Sequence, residues 1–130
     1  MDSSLVTILV VDEEILVRRV LETLLERDGF SVLSTRNVST ALQLMKATAV
    51  DLVLVDLTRT ERNAQHTAQI RHEFPNVKVV VMSAFFGAHP PSAVRLRADA
   101  CLAKPIRPEV LRQTVQGLLF EQAVHPLAVH

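Results

Sequence analysis

The chain has 130 residues, 48% hydrophobic and 22% charged, enough for one domain with a sizeable core. Fourteen basic and fourteen acidic side chains cancel, so no global positive field points to direct contact with nucleic acid or an anionic membrane. The single cysteine, Cys101, excludes an intrachain disulfide framework and suits a reducing, cytoplasmic setting. The N-terminal MDSSLVTILVVDEE lacks a signal peptide's basic start and long apolar core, and no apolar run approaches membrane-spanning length.

Short apolar runs alternate with segments of helical period. Val6 to Val11 reads as a first strand that ends at Asp12. From Glu13 to Asp28, Val17, Val20, Leu21, Leu24 and Leu25 recur at helical spacing, with Arg18, Arg19, Glu22, Glu26 and Arg27 on the solvated face. Gly29 is a natural stop for that helix. Phe30 to Leu33 is a short second strand, and Asn37 can cap a helix carrying Ala41, Leu42, Leu44 and Met45. Leu52 to Val55 is the third strand, followed by a helix of unspecified start ending near Arg71. Val77 to Met82 is the fourth. ProPro at 90 and 91 suits the first turn of a short helix reaching about Arg97. Ala100 to Ala103 makes a fifth strand, and Pro108 opens a last helix with Val110, Leu111, Val115, Leu118 and Leu119 inward. The domain is expected to cover residues 1–122, with AVHPLAVH at 123–130 frayed.

The first, third and fourth strands are apolar almost without alternation, as when both faces of a sheet are covered. Regular βα alternation then predicts an α/β fold with a doubly wound parallel sheet of five strands and helices on both faces. Sites in such folds form beyond the carboxyl ends of the strands. There the first strand delivers Asp12, Glu13 and Glu14, the third Asp56, the fourth Ser83, and the fifth Lys104 followed by Pro105. Clustered carboxylates repel, and Mg²⁺, a hard ion content with few protein oxygens, relieves that repulsion. A lysine is a point-charge phosphate ligand, and a serine hydroxyl can donate to a phosphoryl oxygen. An aspartate that accepts phosphate covalently needs this combination of donors and positive charge.

Taken in order, ILVVDEE (8–14), DLVLVDL (51–57), VVVMSA (79–84) and LAKP (102–105) resemble the receiver domain of bacterial two-component response regulators, over roughly Leu5 to Phe120. The resemblance implies a flavodoxin-like sheet of order 2-1-3-4-5. It makes Asp56 the phosphoacceptor, charged by a sensor histidine kinase or a phosphotransfer protein docking near the first helix, with Leu16 and Val17 as contacts. It assigns Mg²⁺ to Glu13, Asp56 and the backbone carbonyl of Thr58, with Asp12 acting partly through water. Ser83 becomes the switch hydroxyl and, with Ala84 and Lys104, surrounds the phosphoryl group. A cis peptide is expected between Lys104 and Pro105. The output is a changed affinity for a downstream effector protein or a fused output domain. A homodimer formed on phosphorylation is compatible with this reading, although no residue names its interface. The domain modifies itself and turns over no external metabolite, so it is not an enzyme.

The sequence departs from the family pattern in several places. Thr58, Arg59, Thr60 and Ala64 stand where a Met-Pro pair and a glycine are usual, and Glu13 replaces an aspartate. Cys101 takes the place of a switch aromatic, either as a core filler or as a redox-sensing thiol, and Arg97 replaces a glycine. Phe85 is expected either to pack over the sheet edge or to hinder the water that removes the phosphoryl group. The five histidines have no ligand spacing and read as surface residues. A degenerate receiver acting as a phosphorylation-independent interaction module is the alternative function. A haloacid-dehalogenase-type phosphatase would need an acid where Thr58 stands, and DEEI in the first turn suits no flavin phosphate.

Overall fold

The structure is a computed structural model that describes residues 6–57, 60–84 and 97–120, the side chains of residues 60–64 excepted. Five strands alternate with helices: β1 (Thr7–Val11), α1 (Ile15–Arg27), β2 (Ser31–Thr35), α2 (Val38–Ala47), β3 (Leu52–Asp56), α3 (Thr60–Glu73), β4 (Lys78–Ser83), β5 (Ala100–Ala103) and α4 (Pro108–Phe120). The strands form one sheet in the order β2-β1-β3-β4-β5, and every pairing is parallel.

Alternating side chains divide the interior into two cores. Leu9, Val11, Val53, Val55, Val79 and Val81 pack with Val38, Ala41, Leu42 and Met45 of α2 and Ile70 of α3. Ile8, Val10, Leu52, Leu54, Val80 and Met82 pack on the other face with Leu21 and Leu25 of α1 and Leu111 and Val115 of α4. Burial of both faces is why β1, β3 and β4 show no polar alternation.

The element ends differ instructively from the sequence expectation. The second strand lies one to two residues later than Phe30–Leu33, because Phe30 closes the preceding turn through its amide to the Leu25 carbonyl. Its ring is buried and stacks on Phe120, centroids 6.3 Å apart, tying α4 to the loop before β2. Helix α1 starts at Ile15 rather than Glu13, with Glu14 as its N-cap, which leaves Asp12, Glu13 and Glu14 in a loop. Gly29 does stop α1, at φ 94°, a left-handed conformation that costs glycine nothing. Asn37 caps α2 by accepting from the Thr40 amide at 2.8 Å. The short helix expected after ProPro, the residues Phe85 and Phe86, and the 123–130 tail lie outside the described residues.

Candidate functional site

The site is built from strand ends. Asp12 follows β1, Asp56 closes β3, Ser83 closes β4, and Lys104 follows β5. The β4–β5 ladder extends one step, with the Lys104 amide donating to the Ser83 carbonyl at 2.9 Å, which sets Lys104 beside Ser83. The Lys104 ammonium then reaches across, 2.6 Å from Asp12 Oδ2 and 2.8 Å from Asp56 Oδ1. Glu14 Oε1 lies 3.8 Å from the same nitrogen, on the solvent side. The Asp12 side chain is fully buried, and those of Asp56 and Lys104 are 8% and 12% exposed. The Lys104–Pro105 peptide is cis.

Two buried carboxylates share one ammonium, so this trio carries a net negative charge in a poorly solvated place. Burial pushes the Asp56 carboxyl above its ordinary range, the Lys104 hydrogen bond opposes that rise, and the charges of Asp12 and Glu14 add to it. For Lys104, burial favours the neutral amine, but its bonds to Asp12 and Asp56 outweigh it and hold the ammonium above its usual range. The lysine is therefore firmly charged and Asp56 is a partly desolvated carboxylate.

The other candidates are placed unequally. Ser83 is buried and Ala84 is exposed beside it. Glu13 is exposed, and among the described residues no three acids, histidines or cysteines gather in a group that could hold a metal. Thr58, Arg59 and Phe85 lie outside the described residues. Cys101 sits opposite Val81, half-buried against the core under α2 and α3, and burial pushes its thiol up. That environment makes it a poor nucleophile and a good filler. Of the histidines, His72 is exposed while His66 is half-buried on α3, its Nδ1 enclosed without a hydrogen-bond partner.

Two features escaped the sequence reading. Arg18, read as a solvated residue, turns back to donate to the carbonyls of Asp12 at 2.6 Å and Glu13 at 3.3 Å. The signal was a basic residue one and a half turns beyond the acids, too common a pattern to stand out. The second is a groove of about 470 Å³ beside the site, walled by Leu16, Val17, Val20 and Leu21 of α1 and by Ala84, Lys104, Pro105 and Ile106. Leu16 and Val20 on its wall are large apolar residues exposed by more than half.

Residues 8–116 match the response regulator receiver domain family. The chain belongs to this family. It is a signalling module of two-component response regulators rather than an enzyme. It is 31% identical over 117 residues to a CpxR homolog from Haemophilus influenzae described as a transcriptional regulatory protein, covering 89% of this chain and 51% of that protein. The receiver spans about half the length of this and other curated regulators it matches. A response regulator from Thermotoga maritima has 30% identity and a TM-score of 0.77, covering 87% of this chain and 96% of that one. A second Thermotoga maritima regulator, TrrA, solved in complex with Mg²⁺ and BeF, shares the fold at TM-score 0.75 and 24% identity, covering 88% and 99%. No helix among the described residues is long and apolar enough to cross a membrane.

Proposed function

We propose that this receiver takes a phosphoryl group onto Asp56 from a phosphohistidine of a sensor kinase or phosphotransfer protein, and passes the change to an effector. The observation that carries the reading is the shared ammonium: Lys104 within 2.8 Å of both Asp12 and Asp56. Asp56 Oδ attacks phosphorus, the P–N bond to the imidazole breaks, and the imidazole leaves with the electron pair and takes a proton. Lys104 moves its charge from carboxylate to the arriving phosphoryl oxygens, while Ser83 and the Ala84 backbone close around them. The reading makes Ser83 the residue that reports the event to the β5–α4 side.

The two carboxylates fit Mg²⁺: both are hard oxygens, and they already converge on one cation, the ammonium. Asp56 would hold the ion together with Glu13 and the Thr58 carbonyl, as the family resemblance implies, and Asp12 would act partly through water. When bound, Mg²⁺ neutralises charge on the group in transfer. The Mg²⁺–BeF complex of TrrA supports this assignment by analogy of fold. Docking falls to the apolar groove on α1, which opens beside Lys104 and is the right kind of surface for a helical partner carrying the phosphohistidine. Receiver domains pair with histidine kinases or phosphotransfer proteins, which supports that partner class.

Incubation with acetyl phosphate and Mg²⁺ is expected to add the mass of one phosphoryl group to the wild type and none to Asp56→Asn. An unlabelled wild type that still binds its partner through the α1 face would instead favour the interaction-module reading.

A further inference from the structure

We propose that Arg18 is a positioning residue for the acidic loop, holding Asp12 and Glu13 by their backbone carbonyls so that the Asp12 carboxylate stays aimed into the site. This inference rests on the proposed function for its consequence, but its geometry stands alone. Asp12 leaves β1 almost fully buried and anchors to β2 through its amide on the Thr35 carbonyl at 3.1 Å. Its Oδ1 accepts the Glu14 amide at 2.9 Å, so the side chain is folded into a tight local turn. Its Oδ2 meets Lys104 at 2.6 Å. The carbonyls of Asp12 and Glu13 precede the N-cap Glu14, so α1 offers them no amide of its own. The Arg18 guanidinium, from the end of the first turn of α1, supplies both, and the Arg18 amide donates to the Glu14 carbonyl at 3.1 Å. Residue 18 thus clasps the loop from both backbone and side chain.

Both bonds come from one nitrogen, Nη1, held in the guanidinium plane so that its two protons serve the two carbonyls. The consequence separates cleanly from plain electrostatics. Arg18 is a cation seated on the backbone carbonyls of two of the acids, so by charge alone its removal should tighten binding of Mg²⁺. If its work is positional, removal loosens binding, because the Asp12 carboxylate gains freedom to turn away.

The experiment uses the full chain as wild type, Arg18→Met, Arg18→Lys and, as an exposed control, Arg19→Met. Mg²⁺ alone is titrated calorimetrically, and hydrogen exchange of the Glu14 amide is followed without metal. Arg18→Met is expected to weaken Mg²⁺ about tenfold and to speed Glu14 exchange relative to the remote Val79 amide. Arg18→Lys restores part of both, and Arg19→Met changes neither. Unchanged Glu14 exchange in Arg18→Met, or tighter Mg²⁺ binding, overturns the proposal. A wild type that binds no Mg²⁺ but shows the exchange difference defeats the metal reading while leaving the positioning role intact.

Discussion

At residue 56 the energetics of the site are opposed to stability. The folded Asp56 carboxyl titrates above its ordinary range, chiefly because it is buried. The folded protein therefore binds that proton more tightly than the unfolded chain. Its contribution is fully present below about pH 4 and is lost as pH rises through the raised folded value. At pH 7, far above the unfolded value, the burial of Asp56 works against folding. Asp56→Asn is expected to be more stable than wild type by about 1 kcal/mol at pH 7, with the gain fading in acid. Thermal unfolding at both pH values checks this, and an equal gain in acid would contradict it. Lys104→Met should act in the opposite sense, because two buried carboxylates lose their common partner. A loss of about 3 kcal/mol at neutral pH is expected in urea denaturation, shrinking as the pH falls and one carboxyl takes up a proton.

At the scale of elements, the entry to β5 is held under backbone strain. Arg97 adopts φ 58°, the left-handed conformation that disfavours any residue with a Cβ. Its carbonyl accepts from Arg71 Nε at 3.0 Å, and the same guanidinium pairs with Asp99 at 2.9 Å. Asp99 in turn accepts the Val79 amide at 2.8 Å, so the end of α3, the start of β4 and the start of β5 are locked together. Glycine at 97 would keep the carbonyl and relieve the strain. Arg97→Gly is expected to raise the melting temperature by about 3 °C, equivalent to roughly 1 kcal/mol. A lower melting temperature would mean that the Arg97 side chain contributes more than its backbone costs. The sequence showed a residue out of place here, and the dihedral angle supplies the reason why glycine would fit.

Over the whole molecule, two cores hold the sheet from both faces while α1 keeps part of its apolar stripe outside. Leu21 and Leu25 are buried in the core, whereas Leu16 is 73% exposed over the groove beside Lys104. Leu16→Glu is expected to fold normally and to be labelled by acetyl phosphate as fast as wild type. Transfer from a phosphohistidine-bearing protein should slow about tenfold, the effect of losing an apolar anchor at an interface. Equal loss with both donors would place the defect in the site instead of the docking face.

The sequence by itself determined the α/β class, the strand order implied by the family pattern, and the strand-end acids and lysine. The class and the strand-end groups follow from periodicity and from residues that must lie where strands stop, and the order follows from the resemblance alone. Tertiary structure decided which of these groups meet. It put Asp12 and Asp56 on one ammonium, left Glu13 exposed, turned Arg18 from solvent to the loop carbonyls, and set Cys101 against the core. Such choices depend on side-chain direction and burial across strands far apart in the chain, where Lys104 and Asp12 are separated by 92 positions, and no local pattern encodes them.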